Sequence, residues 1–363
     1  MGIEIDINPI KSWLPNLNNP LLIAGPCSLE TEEQTLDTAH QLVKDPRVFI
    51  FRGGIWKPRT RPGSFEGIGP IGLKWLQKVK KETGLLVGTE VANAQHTEEA
   101  LNAGLDVIWI GARSTASPFV VQEIANVLKG TDTIVMVKNP VNPDVQLWIG
   151  AFERLSQAGI KNLVAIHRGF TPFRETKYRN YPNWTTFFEL RRLLSNLPII
   201  CDPSHIAGKR EYLYEIAQKA FDMGMEGLMM ESHRDPECAL SDKDQQVTPS
   251  ELSKILDKLV IRNATVTNKQ FENQLEMLRN RIDVLDTEMM EILSSRVEIT
   301  HQIGQYKKEN NVTALQINRW TELMNKRIAL AEKLNLNKTF IQILFQLIHE
   351  DSVRMQTEIM DEN

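Results

Sequence analysis

Cysteine is scarce in this chain: Cys27, Cys201 and Cys238 are the only three in 363 residues, an odd number set far apart. That excludes a disulfide framework. No apolar run is long enough to span a bilayer, and the N-terminus carries no long apolar targeting segment, so no membrane partner is expected and the cytoplasm is the expected location. Excess positive charge is missing too: 42 Lys and Arg stand against 46 Asp and Glu, for a net charge of −4. Nucleic acids and anionic membranes require a basic face. Neither is expected here, and any anion the protein binds must meet positive charge gathered locally. From Phe271 onward proline is absent and glycine occurs once, at Gly304. A stretch so poor in helix breakers reads as helix.

Before that point the texture differs. Short apolar runs recur at 21–25, 48–51, 85–91, 107–111, 133–138, 162–166, 198–202 and 227–231. They are near-continuous rather than alternating, as for strands buried on both faces. Amphipathic stretches that end at glycine separate most of them. Eight βα units predict an α/β fold of the (β/α)8 TIM-barrel type, with a doubly wound open sheet as the alternative. The polar RNATVTNKQ then breaks the pattern, giving a barrel over 1–262, a linker at 263–269 and a helical domain over 270–363. Leu275, Leu278, Ile282, Leu285, Met289, Ile292, Leu293, Ile299 and Ile303 fall at helical spacing within 271–309 and predict one long helix. Two shorter helices follow, at about 317–334 and 338–360. One helix of ~40 residues cannot bury its apolar stripe against two short ones. The expectation is an all-α three-helix domain that dimerises, with a homotetramer as the next even assembly.

In a barrel of this kind the chemistry lies where strands run out into βα loops. Those positions hold Cys27, Arg52, Glu90, Arg113, Lys138, His167 with Arg168, Asp202 with His205, and Glu231 with His233. A purely structural barrel would not place an ionisable or metal-capable residue at all of them. Cys27, His205, Glu231 and Asp242 offer a thiol, an imidazole and two carboxylates, a mixed set that suits one divalent ion of the Mn, Fe, Co or Zn class. Singly, each has a plainer reading: a small buried Cys, a satisfied turn His, a helix-capping Asp. Arg52, Arg113, Lys138 and Arg168 form a cationic cup for phosphate or carboxylate. The stretch FRGGIWKPRTRPGSFEG (51–67) adds Lys57, Arg59 and Arg61 among glycines and prolines.

Together GPCS (25–28), RGGIWKPRT (52–60), IGAR (110–113), HRG (167–169), DPSH (202–205) and ESH (231–233) with ALSD (239–242) resemble 3-deoxy-7-phosphoheptulonate synthase of the metal-dependent short-barrel type. The resemblance covers residues 1–260. It implies condensation of phosphoenolpyruvate with erythrose 4-phosphate, with metal ligands Cys27, His205, Glu231 and Asp242. It also implies phosphoenolpyruvate contacts at Arg52, Lys57, Arg113, Lys138 and Arg168, with Lys57 the candidate for protonating or polarising. Arg59 and Thr60 would hold the phosphate of erythrose 4-phosphate, and Asp202 would lie near the sugar. Asn139–Pro140 departs from the Arg–Gly or Asn–Gly expected after Lys138, and Arg61 replaces a small residue. The sister synthase of 3-deoxy-octulosonate 8-phosphate carries an Asn-Arg-Ser version of the KPRT loop, so this chain favours the four-carbon sugar.

In the helical part, Arg279, Arg296 and Lys307 are spaced by seventeen and eleven residues, which returns them to nearly one helix face at ~100° per residue. They spread over ~42 Å, too far for one small ligand; by spacing alone, on a lone helix, they read first as a solvated basic stripe. LRNRIDVLD (278–286), SSRVEIT (294–300), IGQYK (303–307) and FQLIHEDSVRMQ (345–356) resemble an all-helical chorismate mutase. The resemblance implies a cage of Arg296, Lys307, Arg319, Ser352 and Gln356 from one protomer and Arg279 from its partner, with chorismate as substrate. Trp320 stands where that family has a glutamate for the ring hydroxyl, and Gln316 replaces a nearby aspartate. The expectation is a bifunctional enzyme of aromatic amino-acid biosynthesis, and the competing reading is a synthase with a catalytically inactive regulatory or dimerising tail. Only about twenty residues precede Leu21, so feedback is expected to act through chorismate or prephenate bound in the helical domain.

Overall fold

The computed structural model describes residues 5–17, 20–57, 63, 65–172, 175–262 and 269–361. They divide into two compact units, Met1–Ala264 and Thr265–Asn363. None of the described helices is long and apolar enough to cross a membrane.

In the first unit every apolar run becomes a strand: β1 Leu21–Gly25, β2 Val48–Arg52, β3 Leu86–Val91, β4 Val107–Ile110, β5 Ile134–Lys138, β6 Leu163–His167, β7 Ile199–Cys201 and β8 Gly227–Glu231. Each pairs in parallel with the next, and β8 closes on β1 in register from Leu21↔Gly227 to Gly25↔Glu231. That closure rules out the open-sheet alternative. The helices following the strands are α1 Glu32–Leu42, α2 Ile71–Thr83, α3 Ala94–Asn102, α4 Pro118–Leu128, α5 Val145–Gln157, α6 Trp184–Leu193, α7 Leu213–Asp222 and α8 Pro249–Lys258. Their starts are written locally. Thr31, Asn93 and Asp144 cap α1, α3 and α5 by accepting from the backbone three residues on. Thr248 and Glu251 form a reciprocal capping box on α8, with Pro249 in its first turn.

Side chains alternate across a strand. Ile23, Ile50, Trp109, Met136, Ile166, Ile200 and Met229 belong to the cluster that fills the barrel interior, while Leu22, Phe51, Ile108, Val137, Ala165 and Leu228 belong to the outer cluster under the helices. One further inward step from Ile50, Met136, Ile166, Ile200 and Met229 reaches Arg52, Lys138, Arg168, Asp202 and Glu231. The period of two therefore carries a ring of charged side chains onto the rim of a packed core. Gly25 stands at the same level with φ of 150°, and a Cβ there would lie 2.0 Å from the Arg52 carbonyl oxygen. Only glycine fits.

The second unit is three helices, α9 Lys269–Glu309, α10 Ile317–Lys333 and α11 Lys338–Asp361. Gly304 lets α9 and α11 approach: a Cβ on it would sit 2.8 Å from Ile359 and 3.3 Å from Gln356. Thr300 and Gly304 are buried there, whereas Leu278, Ile282, Leu285, Met289 and Ile292 along the earlier turns of α9 are 50–69% exposed. A stripe of that size is not a solvent face.

Candidate active sites

At the barrel rim the charges sort into two poles. The first is built on Cys27, just past β1. Its sulfur, one oxygen of Glu231 at the end of β8 and one of Asp242 all lie within 4.8 Å of one another. The Cys27 thiol donates to Asp242 Oδ2 at 3.1 Å and accepts from Lys57 Nζ at 2.8 Å. Burial pushes this thiol up to about 12, with Glu231 and Asp242 adding to the rise and Lys57 opposing it. Burial alone would also raise Asp242, but Arg179, His205 and Lys57 outweigh it and hold the carboxyl well below the usual range. Glu231 behaves likewise: burial is overcome chiefly by His205 and Arg52.

A frame of polar side chains fixes this pole. Arg52 Nη1 donates to Glu231 Oε1 at 3.0 Å and Nη2 to the Cys27 carbonyl at 3.0 Å. Gln245 Nε2 donates to Glu231 Oε2 at 2.7 Å, and Arg179 Nη1 bridges Gln245 Oε1 and Asp242 Oδ1 at 2.7 and 2.9 Å. Gln246 accepts from the Cys27 backbone N–H and donates to the Ser241 carbonyl. Each oxygen of both carboxylates thus accepts one hydrogen bond, which aims the pair and leaves further lone pairs. The Arg52–Glu231 pair is buried on both sides. Deleting either partner strands a charge at a cost of about 3–5 kcal/mol, so substitutions there confound binding with folding.

The second pole is cationic. Lys138 Nζ lies 3.3 Å from Asp202 Oδ2. Asp202 also caps the short turn Pro203–Ala207 by accepting from His205 N, and its Oδ2 lies 2.7 Å from His205 Nδ1. Burial opposes ionisation of Asp202, but His205 and Lys138 keep it well below the usual carboxylate range. Arg168 is pushed down to about 10, mainly by burial, with Arg179 and Arg113 adding to the fall and Asp202 opposing it. Beneath the cup lies Trp109, fully buried, 5.0 Å from the Arg52 guanidinium and 6.0 Å from Lys138 Nζ. Its indole N–H donates to Glu90 Oε2 at 2.8 Å. The indole is a dry floor under the charged heads of two cations, which it attracts without neutralising.

Asn139, which precedes the departure at Pro140, has a structural use. Its side chain donates to the carbonyls of Gly169 and Pro140 and accepts from the Arg168 backbone N–H at 2.7 Å. One amide thereby staples the ends of β5 and β6 that carry Lys138 and Arg168.

In the helical unit, Arg296 Nη1 donates to Ser352 Oγ at 2.6 Å, tying α9 to α11. Lys307 Nζ donates to the Ala314 carbonyl at 2.6 Å. Gln356 is buried. Arg319 is exposed and paired with Glu322 at 3.1 Å, a solvent-screened surface contact, so little opposes its moving to a ligand. Arg279 is exposed and paired with Glu276. It lies seventeen residues from Arg296 along α9, roughly 25 Å at 1.5 Å per residue. Trp320 stacks on His349, ring centroids 3.9 Å apart and planes 11° from parallel. Gln316 precedes α10 as its N-cap residue, without a side-chain cap.

The structure therefore gathers Cys27, Arg52, Lys57, Glu231 and Asp242 at one pole. His205 borders them rather than joining them, its Nδ1 3.9 Å from Glu231 Oε1. Lys138, Arg168 and Asp202 stand at the other pole, with Arg113 on the adjoining turn Ala112–Thr115. Arg59, Thr60 and Arg61 lie outside the described residues. Sequence reasoning missed Trp109, Arg179, Gln245 and Gln246. Inward parity would have found the first; the others sit in irregular loops with no period to read.

Residues 16–267 match the DAHP synthetase I family and residues 278–357 match chorismate mutase type II. A phospho-2-dehydro-3-deoxyheptonate aldolase from Thermotoga maritima is 31% identical over 248 residues, covering 66% of this chain and 71% of that one. A 2-dehydro-3-deoxyphosphooctonate aldolase from Geotalea daltonii is 30% identical over 297 residues, covering 72% and 98%. The crystal structure of the Thermotoga enzyme superimposes with a TM-score of 0.60 at 28% identity, over 67% of this chain and 68% of that one. With the closed barrel, the thiol–carboxylate pole and the helical match following it, the chain belongs to the DAHP synthetase I family and carries a chorismate mutase domain, a bifunctional enzyme of aromatic amino-acid biosynthesis.

Proposed function

We propose that residues 1–262 condense phosphoenolpyruvate with erythrose 4-phosphate, that residues 270–363 rearrange chorismate to prephenate, and that 263–269 link them. The observation that carries the first assignment is the shared rim: a buried thiol and two carboxylates adjoin a cup of cations on one platform. Cys27, Glu231 and Asp242, with His205 as the fourth candidate, would hold one divalent ion of the Mn, Fe, Co or Zn class. The donor set fits: soft and hard ligands meet in one buried cluster, and the Lys57 ammonium already sits against the sulfur as a cation would. Bound there, such an ion supplies Lewis-acid stabilisation of the charge that grows on the aldehyde oxygen.

The chain's own residues account for the rest. Arg52, Lys57, Arg113, Lys138 and Arg168 hold the phosphate and carboxylate of phosphoenolpyruvate, Arg by paired donors and Lys as a point charge. Arg59 and Thr60 hold the second phosphate, and Asp202 faces the sugar from beside Lys138. The enol carbon bonds to the aldehyde carbon, water adds to the resulting cationic carbon, and inorganic phosphate leaves. Lys57, against the Cys27 sulfur, is placed to give a hydrogen bond or a proton as the aldehyde oxygen becomes an alkoxide. Both substrates are anions, and the cup cancels their repulsion where they meet.

The mutase needs no acid or base. Arg296, Arg319 and the partner protomer's copy of Arg279 face the carboxylates, and Lys307 and Gln356 face the ether oxygen whose bond breaks. Ser352 orients Arg296. The distance from Arg279 to Arg296 and the bare apolar stripe of α9 both call for a second copy, so the assembly is a homodimer through the helical unit, in the cytoplasm. Chorismate or prephenate held in that unit inhibits the barrel.

The test is turnover of purified protein with phosphoenolpyruvate and either erythrose 4-phosphate or its five-carbon homologue, since an eight-carbon product requires a five-carbon aldose. Preference for the four-carbon sugar by at least about 100-fold in kcat/KM is expected, and preference for the five-carbon sugar overturns the assignment. The same assay with prephenate should show inhibition that disappears when residues 265–363 are deleted; equal insensitivity of both forms removes the regulatory part.

A further inference from the structure

We infer that His349, held in plane by Trp320, is a specificity residue of the mutase site and takes the hydrogen bond of the substrate's ring hydroxyl. The inference rests on the mutase reading of the helical unit and goes beyond the residues assigned to it above.

Phe345, His349, Ser352 and Gln356 recur at i, i+4, i+7 and i+11 and project from one face of α11. Two of these fix where that face points: Ser352 accepts from Arg296, and Gln356 packs on Gly304 of α9. His349 therefore faces the cations of α9. Its ring lies flat against Trp320 of α10, centroids 3.9 Å apart, which fixes the imidazole plane and keeps its nitrogens at the edge of the stack. Nε2 is buried and, among the described residues, meets no hydrogen-bond partner. The same is true of Oε1 of Gln356, a side chain only 7% exposed, and of Arg327 Nε. Arg327 stands on α10 with its guanidinium 5.2 Å from the Phe345 ring, and the proton affinity of Arg296, lowered first by burial, is lowered further by Arg327. Unpartnered polar atoms from two helices thus gather beside Arg296 and Lys307. A buried polar atom without a partner is unfavourable, and a polar ligand would relieve that.

Chorismate carries two carboxylates and an ether oxygen, all acceptors, and one hydroxyl, its only donor. Arginines and Lys307 serve the acceptors and cannot accept in return. Ser352 is occupied between Arg296 and the Ile348 carbonyl. Burial, helped by Arg296 and Lys307 and opposed by Glu350, lowers the proton affinity of His349. The ring is then neutral, with one donor and one acceptor nitrogen, so it can meet a hydroxyl in either sense. A large indole beside a neutral imidazole also gives the ligand's flat carbocycle a wall.

The experiment uses the full chain and compares chorismate with its analogue lacking the ring hydroxyl. Wild-type protein is expected to favour chorismate by about 10–100-fold in kcat/KM. His349→Phe keeps a ring on Trp320 and removes the nitrogens. It should lose that preference by slowing chorismate alone, the two substrates becoming equal within about 2-fold, while His349→Gln restores part of it. Helix content by circular dichroism, unchanged in both variants, separates this from unfolding. Preserved discrimination in His349→Phe overturns the role of His349 with the mutase reading intact. A wild-type chain that turns over neither compound overturns both.

Discussion

Cys27→Ala is expected to empty the barrel of its divalent ion and to lower synthase kcat by at least about 100-fold, with chorismate turnover unchanged. The sulfur is the only soft donor in its cluster and the atom on which Lys57 and Asp242 both converge. Without it two carboxylates and the bordering His205 imidazole remain, a harder set that binds late transition metals more weakly. The substitution removes one buried atom from a rim that Gln246 and Arg52 still hold through the Cys27 backbone, so the barrel should stay folded. Metal content per chain and synthase rate measured together decide it: loss of both supports a ligand, and retention of both returns Cys27 to a small buried residue. Cys27→Ser is the graded control, with intermediate metal content expected.

The second large effect tests the proposal that the mutase sites are shared between protomers. Arg279→Ala and Arg296→Ala should each reduce mutase kcat/KM by at least about 1000-fold, because each removes a charge that balances the anion in its transition state. Synthase activity should persist in both. Mixed dimers make the stronger case. If Arg279 serves the partner's site, a dimer of one Arg279→Ala and one Arg296→Ala protomer holds one intact site and one doubly defective site. Statistical mixing in a two-fold dimer then restores about a quarter of wild-type activity from two inactive parents. No restoration on co-expression would mean that each site is built within one chain. Full activity in Arg279→Ala itself would instead return Arg279 to the solvated surface, as its exposed pairing with Glu276 would also allow.

Much of this was legible in the residues, for identifiable reasons. Strands buried on both faces advertise themselves as unbroken apolar runs, and the eight runs fall within about one residue of the strands. The inward period of two then marks Arg52, Lys138, Arg168, Asp202 and Glu231, because a charge directly after a buried strand has only the rim to occupy. What sequence could not carry is the frame. Arg179, Gln245 and Gln246 reach the carboxylates and Cys27 from loops, where no period links position to direction. Trp109 is hidden by its own hydrophobicity within VIWIG, and Asn139, legible only as the neighbour of the departing Pro140, proves to be the amide that staples two strand ends. His205 illustrates the same limit: its place in the turn is readable, but the choice of Asp202 over Glu231 as its nearer neighbour is a matter of ring orientation. In the helical unit the heptad-like stripe was plain, yet Trp320 read only as a missing glutamate until His349 was found stacked against it.

The central claim is that one chain carries a metal-requiring condensation and a rearrangement that needs only fixed charges. A single preparation assayed for both activities, before and after a chelator and again after adding back a divalent transition metal, tests it most directly. The expected result is loss and recovery of synthase activity with mutase activity unchanged throughout. Synthase activity that survives complete removal of metal, or mutase activity that falls with it, would contradict the account.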